Sequence, residues 1–355
     1  MPARPIPTPS PTGSSTRWST AFANAGSDGA VRSDLGTLKH RDGHRWIMPL
    51  RRAVPAAVGS VPLVTELTVV VCSLVGLNLW RRVVTALQPS LLATIPERTV
   101  LPVGPLLVGG VLLAGVVCYG AGYAVLRGID VGLRPPAAAD RRTLGLAVGV
   151  PLGMVALTKT VAVFTGVPYN AFTTSAYSAG TPVTAVPSLL GPGLLVGALS
   201  LTVVCQVLVQ GTFARVVDGR RAALLTTVFA AVVLTSSTGG LTAFPDRGKL
   251  ALATVFVVTL ALALYAVDEV DREWLQYLAY LPVSAVLGLV VLSWANATDS
   301  LAELLFGATH AAVLGLAATG YERTDSLVVP AAAYLTVLLA NEVVVVLFEA
   351  GMQSW

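Results

Sequence analysis

Apolar segments of about 20 residues recur from residue 57 to the end of this 355-residue chain. A helix of about 20 residues crosses the hydrocarbon core of a bilayer, which is about 30 Å thick. Only 12% of the residues are charged, whereas soluble globular domains contain about 25%. The sequence therefore predicts an all-α fold, a polytopic transmembrane helical bundle, and argues against a soluble enzyme.

Nine segments are long and apolar enough to be membrane-spanning helices, so we predict about eight or nine spans. The polar linker 268–273 is so short that its two neighbours could form separate spans, a hairpin or a single span. Segment 83–96 is too short and too rich in proline to span, and we expect it at the membrane interface. The candidate segments are 57–79, 101–126, 143–165, 190–213, 222–243, 249–267, 275–294, 301–320 and 327–349.

The same pattern divides the chain into three parts. Residues 1–55 are basic, rich in Pro, Ser, Thr and Gly, and lack an apolar h-region, so we predict a disordered cytoplasmic tail and no signal peptide. Met48, which precedes Pro-Leu-Arg-Arg, would also serve as a start. Residues 56–186 are predicted to contain the first three membrane helices, and residues 187–355 the other six.

Lysine and arginine indicate the orientation, because cytoplasmic loops carry an excess of both. With a cytoplasmic amino terminus, most of these residues fall on the cytoplasmic side, and segment 166–189 on the other side contains none. We therefore expect a multi-pass protein of the plasma membrane with an external carboxy terminus. Membrane lipid is its first predicted partner. Nucleic acid is not predicted, because no basic stripe interleaved with aromatic residues occurs beyond the tail.

Four ionisable residues lie inside the predicted spans, where a charged group costs at least about 2.5 kcal/mol on insertion scales. They are Glu66, Lys159, His310 and Glu342. One interpretation places them around a shared cavity as proton-relay or catalytic groups. The other is structural, with an ion pair between the lysine and one of these glutamates and a neutral, hydrogen-bonded histidine. Glu303 and Glu349 lie nearer to span ends, where headgroups would hydrate them.

Small residues inside the spans predict close packing. Gly145, Gly149 and Gly153 are spaced four apart, which lets two helix backbones approach closely, and we expect this contact within the bundle. The cysteines have no CxxC spacing, so we predict small core residues and no disulfide framework or zinc site. They are Cys72, Cys118 and Cys205.

Two further passages have a recognisable pattern. Residues 320–330 (GYERTDSLVVP), followed by Ala333-Tyr334, end one span and begin the next. Residues 205–211 (CQVLVQG), followed by Arg215, end the fourth span. These passages resemble the carboxy-terminal turn and the Glu-Glu-x-x-x-Arg-Gly motif of the CPBP family, the CAAX-protease and bacteriocin-processing intramembrane proteases. Its Phe-x-x-x-His motif would fall at Phe229 to Val233. The resemblance covers roughly residues 187–345.

At each position where the family has a catalytic residue, this chain has a different residue. The paired glutamates correspond to Cys205 and Gln206, and the motif arginine corresponds to Gln210. The two histidines correspond to Val233 and Tyr334. Glutamine cannot act as a general base, and valine can neither hold a proton nor bind a metal. The resemblance therefore implies a non-catalytic prokaryotic relative that binds a membrane peptide or a partner helix, with no cofactor.

Two alternatives remain open at this point. An active intramembrane protease would use Glu66, His310 or Glu342 from rearranged positions, and this branch alone would call for a divalent metal. A small transporter or channel would place Glu66, Lys159 and Glu342 around a central path, with helices rich in glycine and proline allowing movement.

Overall fold

Helices form almost all of the part of the chain that this computed structural model describes. The described residues are 62–93, 103–173, 186–235, 240–269 and 272–349. The all-α prediction is confirmed, since these ranges contain one isolated antiparallel bridge, Thr235 to Leu241, and no strand. The predicted tail 1–55, including Met48, lies outside them. The helices are α1 Pro62–Ala93, α2 Val103–Arg127, α3 Arg141–Thr165, α4 Val186–Thr202, α5 Gly211–Phe213, α6 Gly219–Val233, α7 Arg247–Glu269, α8 Glu273–Ala279, α9 Leu281–Ala297, α10 Leu301–Thr324 and α11 Val328–Phe348.

Within these residues, 7 helices are long and apolar enough to cross a membrane. The predicted segments 222–243 and 275–294 correspond to shorter helices: α6 has 15 residues, and α9 follows the 7-residue α8. Segment 83–96 was expected as an interfacial piece, but its described residues extend α1 without a break to Ala93. Pro89 removes one backbone donor there, and the flanking Ala, Leu and Gln residues are strong helix formers that continue the helix.

The connection from α6 to α7 is irregular and is held by side chains from two membrane helices. α6 ends at Val233 because the sequence Thr-Ser-Ser-Thr-Gly-Gly that follows is poor in helix formers. The Asn78 amide donates to the carbonyl of Pro245 at 2.5 Å. The Lys249 ammonium donates to the Thr235 carbonyl and, at 2.9 Å, to its hydroxyl. These contacts give partners to backbone carbonyls that no helix pairs.

Ion pairs mark the two ends of the bundle. Glu66, near the start of α1, pairs with Arg127 at the end of α2 and with Arg215 just after α5. Lys159, late in α3, pairs with Glu349 just after α11. We call these the Glu66 end and the Glu349 end. The described chain therefore enters the bundle at one end and leaves it at the other.

The centre of the bundle is a π-helical segment, Val203–Gln210, which joins α4 to α5 in one continuous helix. The backbone N–H of Gly211 donates to the carbonyl of Gln206, the wide i to i+5 spacing of a π-helix. All of this segment after Val203 is buried. Helices α10 and α11 pack against each other and against α3, and α10 also contacts the π-helical segment. The division that we predict between residues 186 and 187 stays a prediction.

Candidate functional site

The two passages that resemble the protease family meet inside the bundle. The side-chain amide of Gln206, in the π-helical segment, donates to the phenol oxygen of Tyr334, in α11, at 2.9 Å. The Cys205 thiol, next to Gln206 in the chain, neighbours the same phenol. All three side chains have an exposed fraction of 0%. We call them the Gln206 cluster.

The remaining positions of the resemblance surround this cluster without joining it. Gln210 donates its amide to the carbonyl of Ala318 in α10 at 3.0 Å. Phe229, in α6, packs edge-on against Phe213, with ring centroids 6.1 Å apart. Val233 is buried at the end of α6. Gln210 therefore fixes the π-helical segment to α10, and the two residues of α6 make apolar contacts.

The chemistry of the Gln206 cluster is hydrogen bonding. It contains an amide, a phenol and a thiol, whereas general acid-base catalysis of hydrolysis is most often the work of histidine or a carboxylate. The side-chain oxygens of Gln206 and Gln210 are buried and have no hydrogen-bond partner among the described residues. These positions do not fit the divalent metal of the protease alternative, since an amide, a phenol and a valine side chain are poor replacements for histidine and carboxylate ligands.

A second polar cluster lies at the Glu349 end. We expected headgroups to hydrate Glu349, but this carboxylate is only 2% exposed. It lies 2.5 Å from the Lys159 ammonium and accepts the backbone N–H groups of Tyr169 and Asn170 at 2.7 and 2.6 Å. Lys159 therefore pairs with Glu349, a residue that we did not predict as its partner. Burial and, second, the Glu349 carboxylate raise the pKa of the Tyr169 phenol.

A line of hydrogen bonds leads from this cluster to His310 in the middle of α10. The Tyr169 hydroxyl donates to the Asn341 side-chain oxygen at 2.6 Å, and the Asn341 amide lies 3.4 Å from His310 Nε2. His310 Nδ1 lies 2.8 Å from the Phe306 carbonyl, which can only accept, so Nδ1 carries the proton and Nε2 accepts. Both ring nitrogens of His310 therefore have hydrogen-bond partners inside the bundle.

The third polar cluster is at the Glu66 end. Glu66 accepts from both terminal nitrogens of Arg127, at 2.6 and 3.4 Å, and Arg215 Nε lies 3.5 Å from the same carboxylate. Glu66 and Lys159 therefore belong to opposite ends of the bundle. Glu342 is half-buried on α11. The structure does not bring the four predicted intramembrane residues into one cavity.

The partners of these residues were missed at the sequence level. These partners lie at or just beyond helix ends, so a search for charged residues inside apolar spans does not find them. They are Arg127, Arg215 and Glu349. Asn341 stands beside Glu342 in the sequence and would have been the one accessible signal, because a buried amide also needs partners.

The cysteines divide into two kinds. Cys205 is buried as we predicted, but Cys72 and Cys118 are exposed on the surfaces of α1 and α2. Cysteine is apolar enough to face acyl chains, so its place inside a span does not decide between the core and the lipid. In the described ranges, no group of three or more His, Cys, Asp or Glu side chains could hold a metal ion.

Comparison with known proteins does not assign this chain to a family. No protein-family model, curated protein or solved structure matches this chain.

Proposed function

We propose that this integral membrane protein is a non-catalytic relative of the CPBP intramembrane proteases that binds a membrane peptide or a partner helix. The observation that carries the proposal is the contact between Gln206 and Tyr334. These residues are 128 positions apart in the chain and hydrogen-bonded at 2.9 Å. Both resembling passages therefore contribute to one buried point, as two motifs of a single site would.

The residues at that point support a role without proteolysis. A protease site must hold a water molecule and remove a proton from it. This requires a general base whose pKa is close to the pH at which the enzyme works. Here the amide and the phenol bond to each other, and both are fully buried. The cluster ties α11 to the π-helical segment and leaves no histidine or carboxylate at the positions where the family has its own.

The distribution of arginine supports a cytoplasmic Glu66 end in the plasma membrane. Two loops, two helix starts and two helix ends at this end carry basic residues, which cytoplasmic segments contain in excess. With the amino-terminal start of α1 at this end, the carboxy-terminal end of α11 is external. The arginines concerned are Arg127, Arg134, Arg141, Arg142, Arg215, Arg220, Arg221 and Arg323.

The face on which a partner helix would fit is on α3. Gly145, Gly149 and Gly153 are exposed, and a side-chain carbon added at any of them would meet no atom within 4 Å. We expected these glycines to pack inside the bundle, and they do not. A face of small residues lets two helix backbones approach in lipid, where packing rather than the hydrophobic effect drives association.

The binding part is tested in proteoliposomes by energy transfer between the labelled protein and a labelled transmembrane peptide of Leu and Ala with one Gly-xxx-Gly motif. We expect transfer with the wild type and a loss with Gly149→Leu, which fills the exposed face of α3. The matched control is Gly122→Leu, because Gly122 is an open, exposed glycine on α2. Equal transfer for all three proteins would overturn the binding surface.

The catalytic part is tested separately with the same proteoliposomes. A fluorogenic membrane peptide should stay uncleaved, with and without added divalent metal. Cleavage that disappears in Gln206→Ala would show that a protease site survives, and would contradict the proposal.

The transporter alternative has less support, because Glu66 and Lys159 each hold an ion pair at a different end of the bundle. It makes a clear prediction of its own. Proton-coupled uptake that is present in the wild type and abolished by Glu66→Gln would favour transport over binding.

A further inference from the structure

Two guanidinium groups share one carboxylate at the Glu66 end. Arg127 forms a forked contact with Glu66, with distances of 2.6 and 3.4 Å, and its guanidinium carbon lies 5.6 Å from the centre of the Tyr123 ring. Arg215 reaches the same carboxylate through Nε at 3.5 Å and donates to the Arg127 carbonyl. One negative and two positive charges leave a formal excess of one positive charge.

We propose that Arg127 and Arg215 bind a phosphate group, that of an anionic phospholipid headgroup. Arginine holds phosphate through paired N–H groups in a planar fork. Arg215 donates through Nε and one terminal nitrogen, and among the described residues no hydrogen bond is seen for its other terminal nitrogen. Basic pockets between membrane helices are a known setting for headgroup recognition. This inference concerns the surface of the Glu66 end and does not rest on the proposed function.

The depth of the cluster matches a headgroup. Arg127 is the last residue of α2, Arg215 follows α5 by two residues, and the Glu66 carboxylate contacts both. All three therefore lie where the apolar spans end and lipid phosphates begin. The side chains of Arg127 and Arg215 are 24% and 39% exposed, which leaves part of each guanidinium open.

Neighbouring acidic residues do not cancel the excess charge. Asp218 follows Arg215 closely, but it pairs with Arg221 at 3.2 Å and caps α6 by accepting the Arg221 backbone N–H. Asp130 stands three residues after Arg127, is exposed, and forms no ion pair with either arginine among the described residues. Tyr123 places a ring face under the Arg127 guanidinium and its hydroxyl against Thr212 at 2.5 Å, which fixes that guanidinium before any anion arrives.

The test measures binding of phosphatidylglycerol and phosphatidylcholine to the full chain, purified and delipidated in detergent, by native mass spectrometry. A membrane-proximal basic residue contributes about 1 kcal/mol to attraction of anionic lipid, so Arg215→Gln should weaken phosphatidylglycerol binding about fivefold. Phosphatidylcholine binding should not change. The control is Arg82→Gln, because Arg82 is an exposed arginine far along α1 from the Glu66 end.

A second variant separates a binding site from a merely structural cluster. Glu66→Gln removes the carboxylate that now holds both arginines, so phosphatidylglycerol should bind more tightly than to the wild type. A purely structural cluster would lose stability without gaining affinity. Unfolding temperatures of both variants in the same detergent identify any protein that has failed to fold, and in that case Arg215→Lys, which keeps the charge but not the fork, replaces Arg215→Gln.

The source of the phosphate is decided by competition. If inorganic phosphate leaves bound phosphatidylglycerol in place, the site requires the lipid, as proposed. If it displaces the lipid at equal concentration, the ligand is free phosphate and the lipid assignment is wrong. Unchanged phosphatidylglycerol binding in Arg215→Gln, with a folded protein, would overturn the site altogether.

Discussion

The Lys159 ammonium lies 2.5 Å from the Glu349 carboxylate, although the two residues are 190 positions apart in the chain. This ion pair joins the late part of α3 to the residue that follows α11. The same carboxylate receives the backbone N–H groups of Tyr169 and Asn170, so it also fixes the short turn after α3. Three donors on one buried carboxylate make Glu349 the main polar anchor of its end of the bundle.

We expect Glu349→Gln to lower the free energy of unfolding by about 3 kcal/mol, the low end of the range for one partner removed from a buried ion pair. The low end applies because the Lys159 side chain is 19% exposed and can be partly rehydrated. An amide also has a single acceptor oxygen, so one of the two backbone N–H groups would lose its partner. The measurement is the unfolding transition in detergent micelles.

The control for this change is Glu303→Gln at the start of α10. Glu303 accepts the Asp299 backbone N–H at 3.0 Å, a bond that glutamine can also make, so stability should change little. If both variants have the same unfolding transition as the wild type, the Lys159–Glu349 pair does not stabilise the bundle.

A second prediction concerns the contact between α1 and α2. A side-chain carbon at Gly115 would overlap the Trp80 indole, and this ring is held because its N–H donates to the Leu112 carbonyl at 3.2 Å. Gly115→Ala should therefore destabilise the protein by about 1–3 kcal/mol, the usual cost of overpacking.

Gly122 on the same helix gives the matched comparison. It has no atom within 4 Å of an added carbon, so Gly122→Ala should be neutral or should gain up to about 1 kcal/mol from the higher helix propensity of alanine. Equal unfolding transitions for the two alanine variants would show that α1 and α2 do not pack in this way.

Sequence reasoning located the helices well because the bilayer sets their length. The predicted segment 143–165 agrees with α3, whose end is fixed by Gly166 in a left-handed conformation with φ of 71°. The segment 222–243 was predicted too long, because an average of hydropathy does not register the polar and glycine residues that end α6 at Val233. Composition over about 20 residues predicts that a span exists better than it predicts where the helix stops.

The partners of the buried polar side chains could not be predicted from the sequence, because they depend on how the helices pack against each other. Lys159 could pair with any acidic residue that folding brings near, and the choice of Glu349 depends on how α3 and α11 cross. The contact between Gln206 and Tyr334 joins two passages that we had compared with one family, but the contact does not test that resemblance. Glycine spacing on α3 predicted a close contact within the bundle, but the structure leaves these glycines exposed.

A third prediction concerns the turn between α10 and α11. Among the described residues other than glycine, Asp325 is the one with a positive φ, 48°, and it stands just after α10. A left-handed conformation is costly for a residue with a side chain, and a negative charge at the carboxy end of a helix opposes its dipole. Asp325→Gly should therefore raise the free energy of unfolding by about 0.5–1 kcal/mol.

Asp325→Ala separates the two contributions, because alanine removes the charge and keeps the strain. It should be less stable than Asp325→Gly by about 1 kcal/mol. An alanine variant as stable as the glycine variant would mean that charge alone matters at this turn.

The last prediction concerns the Gln206 cluster, where partners are coupled. Tyr334→Phe leaves the Gln206 amide buried without its acceptor, which should cost about 1–3 kcal/mol. Gln206→Leu removes the amide and should also destabilise, since Tyr334 loses a donor and the cavity is reshaped. In the double variant no buried amide is stranded, so the loss should be smaller than the sum of the two single losses. A double-mutant cycle on the unfolding free energy measures this coupling directly. Strict additivity would show that the 2.9 Å contact contributes nothing to the packing of α11 on the π-helical segment, and that the two resembling passages share no energetic coupling.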